Sequence, residues 1–231
     1  MVKDNILKIK ERVAQACSRV KRDPASVIII GVSKGRQPEE IREAIGSGIA
    51  DIGENKVQEA FVKRAQLSTT NYQPPTVHWH MIGHLQTNKA KEAVKLFNLI
   101  HSVDSLRLAQ EIDKQAAKVD KVQDILLEVN ISGETSKFGL KPEEVSGLFK
   151  EISGLKNIKI NGLMTIAPLV NDPEQVRPYF KALKELQDKI NLLALITYPL
   201  SILSMGMSDD FEFAIEEGAT MVRIGRAIFD N

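Results

Sequence analysis

Lys34 is the residue whose type and position point most clearly to covalent chemistry. It follows the apolar, β-branched segment Val27–Val32 and Ser33. A lysine at the end of a buried strand is partly desolvated, and nearby cations such as Arg36 or Arg223 would lower its pKa further. The neutral amine that results can attack a carbonyl carbon and form a Schiff base. The position alone is also consistent with a solvated lysine that begins a loop.

Two segments near the end of the chain combine glycine with serine or arginine, as anion-binding loops do. They are Ser204–Ser208 (SMGMS) and Arg223–Arg226 (RIGR). Their glycines, Gly206 and Gly225, allow backbone N–H groups to approach an anion closely, and the serine hydroxyls add donors. The following pair, Asp209–Asp210, would repel an anion unless it is turned outward. Tight turns and a helix cap explain the same residues without a ligand.

The histidines do not predict a metal site or a catalytic triad. His78, His80 and His84 resemble a series of metal ligands, but no carboxylate or cysteine stands at ligand spacing. His101 stands alone in the sequence. We therefore expect these histidines to form hydrogen bonds in the core or at the mouth of the fold. We find no Cys–His or Ser–His–Asp arrangement whose members would meet at one strand end.

Short apolar segments that alternate with helical patterns indicate the elements that position these residues. The predicted strands are Val27–Val32, Ala50–Glu54, Val77–Gly83, Leu99–Val103, Asp124–Asn130, Ile158–Met164, Ile202–Met205 and Met221–Ile224. Repeated βα units predict a parallel sheet, and eight of them favour an α/β fold that closes as a (β/α)8 TIM barrel. An open, doubly wound sheet is the alternative. In a closed barrel, strand one neighbours strand eight, so a cofactor held by its phosphate at the last two loops would reach Lys34.

The remaining pattern predicts one domain over residues 1–231 with an extra helix, Val2–Val20, before the first strand. The helix between strands seven and eight is expected to have Ser208 as its N-cap and to stop at Gly218. The apolar stretch Asn191–Ser201 is open to two interpretations, as part of strand seven or as a loop.

Composition excludes several classes of partner. The 231 residues are 43% hydrophobic and 26% charged, and 31 basic residues against 30 acidic ones give a net charge of +1. Such a balance predicts neither nucleic-acid binding nor attraction to an anionic membrane. The single cysteine, Cys17, lies on a helically spaced apolar face and is expected to be buried, which favours a reducing, cytoplasmic location.

Several motifs, in their order and spacing, resemble the pyridoxal phosphate homeostasis family over residues 3–229. These motifs are Val32–Lys34, Gly53–Glu59, Trp79–Gly83, Leu85–Lys89, Lys137–Gly139, Gly162–Ile166, Leu203–Asp209 and Val222–Gly225. The family is similar to the barrel half of alanine racemase standing alone. The resemblance therefore implies an alanine racemase-like barrel that binds pyridoxal 5′-phosphate (PLP).

The resemblance also assigns roles to individual residues. It implies that Lys34 holds PLP as a Schiff base and that Arg223 faces the pyridine nitrogen. The residues implied for the phosphate are Ser204, Ser208, Gly225 and Arg226, the last two through backbone amides. The residues implied to line the pocket are Asn55, His80 and Met164. No catalytic or metal-binding residue is implied.

The residues favour a PLP carrier over a catalyst. An arginine beside the pyridine nitrogen disfavours its protonation and weakens the electron sink. Racemisation needs a second acid or base, and Tyr72, Tyr179 and Tyr198 do not fall at predicted strand ends. We therefore expect a monomeric protein that buffers PLP or delivers it to apoenzymes and influences amino-acid and keto-acid balance. The alternatives are a PLP-dependent amino-acid racemase and a Schiff-base aldolase in which Lys34 attacks a sugar phosphate.

Overall fold

The structure is a computed structural model that describes residues 1–68, 76–193 and 199–230. Its strands are β1 (Ile28–Val32), β2 (Asp51–Glu54), β3 (His78–Met81), β4 (Leu99–Val103), β5 (Gln123–Glu128), β6 (Ile158–Met164), β7 (Ile202–Ser204) and β8 (Met221–Ile224). They form a closed parallel barrel in chain order, in which β1 pairs with β8. The predicted (β/α)8 TIM barrel is confirmed. The open sheet is wrong, because closure leaves neither β1 nor β8 as a free edge.

The helices surround this barrel. They are α1 (Val2–Arg19), α2 (Pro38–Gly46), α3 (Val57–Ser68), α4 (Ala90–Leu96), α5 (Leu106–Ala117), α6 (Pro142–Ile152), α7 (Arg177–Leu192), α8 (Phe211–Glu216) and α9 (Arg226–Phe229). Prolines begin α2 and α6 because their fixed φ suits the first helical position and their missing N–H is not needed there. Among the described residues, no helix is both long and apolar enough to cross a membrane.

The alternation of side chains along the strands divides the apolar residues into two groups. The larger group fills the layer between the barrel and the helices. The smaller group lies inside the barrel and consists of Ile30, Leu99, Leu126, Met164 and Met221. Because strands of a parallel barrel are covered on both faces, their sequences read as continuous apolar runs.

The extra helix α1 is confirmed, and it packs against α8 and α9. Its buried face contains Val2, Ile6, Ile9, Val13, Ala16 and Cys17. Cys17 has no exposed surface, as predicted, and burial raises the pKa of its thiol. The protonated thiol is the unreactive form, so Cys17 acts as a small apolar residue of the core.

The chain around β7 and α8 differs from the prediction in one respect. The N-cap of helix α8 is Asp210 and not the predicted Ser208. The carboxylate of Asp210 accepts the N–H of Met207 at 2.5 Å, so Ser208 lies within the turn that precedes the helix. The helix ends at Glu216, and the predicted stop, Gly218, follows with φ +102°.

The stretch Asn191–Ser201 contains no strand residue within its described part. Helix α7 continues to Leu192, and β7 begins only at Ile202. The side-chain amide of Asn191 accepts the N–H of Leu200 at 2.8 Å and donates to its carbonyl oxygen at 2.9 Å. This pair of hydrogen bonds joins the end of α7 to the entrance of β7. Residues 194–198 lie outside the described part of the chain.

Candidate functional site

Lys34 lies in a tight turn just beyond the end of β1. The N–H of Arg36 donates to the carbonyl oxygen of Ser33 at 3.0 Å, and Gly35 adopts φ +71°. A positive φ at the third position of such a turn favours glycine. Lys34 is exposed, so the prediction of a partly desolvated ammonium group is wrong for this structure. The turn, rather than the buried strand, presents the side chain to solvent.

The two cations predicted to act on Lys34 have other partners. Arg36 forms ion pairs with Asp230 and, at 3.6 Å, with Glu40. Arg223 lies inside the barrel, where only 4% of its surface is exposed. Lys34 is therefore available to a ligand because it is exposed, and not because a guanidinium lies beside it.

A buried ion pair supports the turn that carries Lys34. The ammonium group of Lys63, in α3, donates to Oε1 of Glu54 and to the carbonyl oxygen of Ser33, each at 2.5 Å. The hydroxyl of Ser33 donates to the same carboxylate oxygen at 2.5 Å. Neither Glu54 nor Ser33 has exposed surface. Because Ser33 immediately precedes Lys34, this cluster holds the start of the turn in place.

The two predicted anion-binding segments meet at the same rim of the barrel as Lys34. The N–H of Ala227, in α9, donates to the hydroxyl of Ser208 at 3.3 Å. Gly225 lies against β1, because a Cβ atom added there would be 3.4 Å from the Cβ of Val32. Val32 precedes Lys34 by two residues. The structure thus brings Ser208 and Gly225 to the part of the rim where the lysine stands.

The acidic residues of this region are satisfied by the chain itself. The carboxylate of Asp209 forms an ion pair with the exposed side chain of Arg226. Asp210 is buried, and burial raises its pKa, although the hydrogen bond from the N–H of Met207 acts in the opposite direction. The segment Ser204–Ser208 turns at Gly206, where φ is +91° and an added Cβ atom would lie 2.6 Å from the Cβ of Ala214. The repulsion of an anion that the sequence suggested is therefore reduced.

Arg223 is fixed by two hydrogen bonds inside the barrel. Its Nη1 donates to the hydroxyl oxygen of Ser204 at 2.7 Å, and its Nη2 donates to the carbonyl oxygen of Thr165 at 2.8 Å. Burial lowers the pKa of Arg223 to about 10, while Asp210 and Glu128 act to raise it. The guanidinium therefore remains protonated at neutral pH.

The histidines of β3 and β4 connect Arg223 to Asp51 inside the barrel. His101 lies between Ser204, 2.9 Å from its Nδ1, and Nδ1 of His80, 3.0 Å from its Nε2. Nε2 of His80 lies 2.9 Å from Oδ1 of Asp51, the first residue of β2. We call these five residues, Asp51, His80, His101, Ser204 and Arg223, the interior chain. The predicted hydrogen-bonding role of His80 and His101 is confirmed.

The interior chain contains two of the residues predicted to bind PLP. His80 has both ring nitrogens engaged and is 3% exposed, so it lies inside the barrel, and its pocket-lining role stays a prediction. Ser204 is fully buried, and its predicted contact with a phosphate stays a prediction. His101, which stands alone in the sequence, joins the two.

The other histidines form contacts of different kinds. His84 stacks on the ring of Phe138, with 3.8 Å between the ring centroids, and lies 3.6 Å from Asp104. His78 is half exposed and lies 3.5 Å from Asp51. Within the described ranges, no three His, Cys, Asp or Glu side chains form a group that could hold a metal ion.

Asn55 and Met164, both predicted to line a pocket, lie at different depths. Asn55 follows β2 and is partly exposed. The backbone of Gly83 approaches it so closely that a Cβ atom would lie 2.5 Å from the carbonyl oxygen of Asn55. Met164 is fully buried in the apolar cluster inside the barrel. The pocket-lining roles of both residues stay predictions.

Glu128 is a buried carboxyl group that the sequence did not single out. It ends β5 and lines a cleft of about 160 Å³ together with Asn130, Lys137, Phe138 and other residues. Burial and, to a smaller extent, Asp104 raise its pKa to about 7, although Arg223 acts in the opposite direction. Its Oε2 has no hydrogen-bond partner among the described residues. Glu128 is thus a buried carboxyl group that can gain and lose a proton near neutral pH.

Substitution of Glu128 by glutamine is expected to stabilise the ligand-free protein at alkaline pH. The folded-state pKa of about 7 lies above the ordinary value of 4.5, so the folded protein binds the extra proton and loses stability as the pH rises between these values. The neutral amide avoids this loss. We expect the advantage of Glu128→Gln to grow by about 2 kcal/mol between pH 5 and pH 8. Urea unfolding at both pH values measures it.

The exposed residue Glu92, in α4, offers a matched control for that measurement. Glu92→Gln removes a carboxylate without removing a buried one, so its effect should stay within about 0.5 kcal/mol at both pH values. An advantage of Glu128→Gln that is the same at pH 5 and pH 8 would contradict the raised pKa.

Comparison with known proteins identifies the family that the barrel represents. The model of the family described as alanine racemase, N-terminal domain, matches residues 2–230. The pyridoxal phosphate homeostasis protein of Aquifex aeolicus is 45% identical over 226 residues, which cover 98% of this chain and 96% of that relative. The chain belongs to the alanine racemase N-terminal domain family and, within it, to the pyridoxal phosphate homeostasis proteins.

Solved structures agree with this assignment. PipY of Synechococcus elongatus, in a structure with PLP bound, is 36% identical with a TM-score of 0.82, and the match covers 96% of this chain and 99% of that one. Alanine racemase of Clostridium difficile 630 is 17% identical with a TM-score of 0.71. That match covers 96% of this chain but 57% of the racemase, and it shows a shared fold only.

Proposed function

We propose that this protein binds PLP as a Schiff base on Lys34 and takes part in intracellular PLP homeostasis. In this role it buffers PLP or delivers it to PLP-dependent apoenzymes, and so influences amino-acid and keto-acid balance. The relative from A. aeolicus carries the homeostasis name, and the PipY structure holds PLP. The proposal includes a single domain over residues 1–231, a monomer and a cytoplasmic location.

The observation that carries the proposal is the shared rim of Lys34 and the loop before α9. The contact of Gly225 with Val32 places that loop beside the lysine turn. An aldehyde that also bears a phosphate needs an amine and an anion site within one small molecule's length of each other. PLP supplies such an aldehyde, and its ring withdraws electrons from the attached carbon.

The donors around this rim suit the polar groups of PLP. The phosphate would be bound by the hydroxyl of Ser208 and the backbone amides of Gly225 and Arg226. Arg223 would face the pyridine nitrogen, and Asn55 would line the pocket. These assignments rest on the family resemblance together with the positions of the residues at the rim.

Arg223 favours a carrier over a catalyst. A guanidinium can only donate hydrogen bonds, and it keeps its proton when its pKa is lowered only to about 10. When the guanidinium faces the ring nitrogen, it donates to the lone pair of that nitrogen and so disfavours its protonation. An unprotonated pyridine ring withdraws electrons less strongly, so slow turnover of amino acids is expected.

One observation favours a second candidate, a PLP-dependent amino-acid racemase. Racemisation needs a group that exchanges a proton with the substrate, and a pKa near the working pH suits that task. Glu128 has a pKa raised to about 7 and lines a cleft at the end of β5. The racemase hypothesis therefore predicts that Glu128→Gln abolishes racemisation while PLP remains bound.

Titration of the purified protein with PLP tests the proposal. We expect a visible absorbance band from the Schiff base, and a PLP-dependent apoenzyme added later should recover activity from the loaded protein. With D- or L-alanine, the optical rotation should stay nearly constant. A colourless protein would refute the Schiff base with PLP and favour the aldolase alternative. Steady racemisation would refute the carrier proposal and favour the racemase candidate.

A further inference from the structure

We propose that His101 is a positioning residue for Arg223, acting through the hydroxyl of Ser204. The proposal concerns the interior chain, in which four consecutive contacts of 2.7 to 3.0 Å run from Arg223 to Asp51. It deepens the proposed function, because Arg223 is the residue assigned to the pyridine nitrogen of PLP.

The two ends of the interior chain, together with the charge of its two imidazoles, determine the direction of every hydrogen bond in it. A guanidinium can only donate, and a carboxylate can only accept. Four contacts need four protons, and the carboxylate of Asp51 receives one of them from Nε2 of His80. A neutral imidazole has one proton to give and one lone pair that accepts. With both imidazoles neutral, Nε2 of His101 donates to Nδ1 of His80, and Nδ1 of His101 accepts from the hydroxyl of Ser204.

Burial supports this assignment. His101 has no exposed surface, and burial holds its pKa well below the usual value, with His80 and Arg223 adding to the effect. A cationic imidazole at this position would also be separated from the buried guanidinium of Arg223 by a single hydroxyl group, so the two positive charges would repel each other. Burial and this repulsion favour the neutral form.

The fixed direction explains how His101 acts on Arg223. The hydroxyl of Ser204 accepts from Nη1 of Arg223, so its own proton must point elsewhere. Nδ1 of His101 accepts that proton. With the carbonyl oxygen of Thr165 on Nη2, the guanidinium is held at two points and its plane is set. Without His101, the hydroxyl can rotate and the contact on Nη1 is no longer fixed.

The direction of these hydrogen bonds also decides what the hydroxyl of Ser204 can bind. Its single proton is committed to His101, so it has none left to donate to a phosphate. Of the residues implied for the phosphate, Ser208 and the backbone amides of Gly225 and Arg226 therefore remain, whereas the hydroxyl of Ser204 binds Arg223.

Nuclear magnetic resonance of the ligand-free protein tests the inference independently of PLP. With labelled histidine, His80 and His101 should both appear neutral at pH 7 with the proton on Nε2. With labelled arginine, the two Nη groups of Arg223 should give separate signals in the wild type. They should merge in His101→Leu, because rotation of the guanidinium becomes faster.

Two further variants provide matched controls. His101→Asn retains an acceptor near the position of Nδ1, so it should keep the Arg223 signals separate. His78→Ala removes a half-exposed histidine that touches the same Asp51 from outside the interior chain, and it should leave the signals unchanged. A cationic His101, an Nδ1–H tautomer, or unaltered Arg223 signals in His101→Leu would each overturn the inference.

The effect on PLP is measured separately. We expect His101→Leu to weaken PLP binding about tenfold, the equivalent of one hydrogen bond to a charged group, and to shift the visible band. His101→Asn and His78→Ala should stay within about twofold of the wild type. If the wild type itself remains colourless, the proposed function fails, and the Arg223 signals still decide this inference. Wild-type affinity and an unshifted band in His101→Leu would count against it.

Discussion

Lys34→Ala is expected to eliminate the visible absorbance band that the wild-type protein develops with PLP. The band requires a carbon–nitrogen double bond to an amine, and alanine offers none. Contacts with the phosphate and the ring remain, so PLP should still bind, but about a hundredfold more weakly, which corresponds to about 2.8 kcal/mol. Absorbance titration measures the band, and equilibrium dialysis measures the affinity.

Controls for this experiment must separate Lys34 from other exposed lysines, since any amine can react with an aldehyde at high concentration. Lys56 also follows a strand of the barrel and is exposed, so Lys56→Ala should retain the full band. Reduction with borohydride followed by peptide mapping should locate the label on residue 34. A band of normal height in Lys34→Ala, or a label elsewhere in the wild type, would refute the proposed linkage.

Lys63→Met should produce the largest loss of stability among the variants considered. The substitution leaves the carboxylate of Glu54 without its cation in a place that has no exposed surface, and only the hydroxyl of Ser33 still donates to it. Removing one partner of a buried ion pair typically costs about 3–5 kcal/mol of unfolding free energy. Urea unfolding of the ligand-free protein measures the loss.

Two comparisons distinguish the ion pair from a general loss of packing. Lys56→Met breaks an exposed ion pair with Glu59 and should cost less than about 1 kcal/mol. The double variant Glu54→Met/Lys63→Met removes both charges, so it should recover much of the stability that the single change loses. A single variant within about 1 kcal/mol of the wild type would mean that Lys63 does not compensate Glu54.

The ion pair also couples stability to the proposed site, since Lys63 contacts the carbonyl oxygen of Ser33 beside Lys34. Loss of this contact should loosen the turn that presents the amine. Lys63→Met is therefore expected to weaken PLP binding as well, whereas Lys56→Met should not. This difference links the helix layer to the rim of the barrel.

The eight strands, the extra N-terminal helix and the position of Lys34 after β1 were predictable from the sequence. Each depends on patterns within a few residues, such as apolar periodicity, proline at a helix start and glycine in a turn. Closure of the barrel followed from the number of βα units. The same local patterns placed the segments around Gly206 and Gly225 at the last two strands, and closure brought the second of them beside β1.

The sequence indicates the buried ion pair of Lys63 and the interior chain only in part. Lys63 lies three residues after Ala60 and four before Leu67, on the buried face of α3, and a lysine there is a recognisable signal. His101 is the third residue of β4 and shares the inward face of Leu99, an unusual place for a histidine. In both cases the spacing indicates a buried polar group, but not which residue would satisfy it.

The partners themselves were decided by the tertiary structure. The interior chain joins residues of β2, β3, β4, β7 and β8, and the exposure of Lys34 depends on the turn around Gly35. Strand register and barrel closure set these distances, and both arise from packing across the whole domain. Local patterns therefore specify which side of an element a residue occupies, whereas the hydrogen bond or charge that it finds there depends on residues far away in the sequence, as from His101 to Ser204.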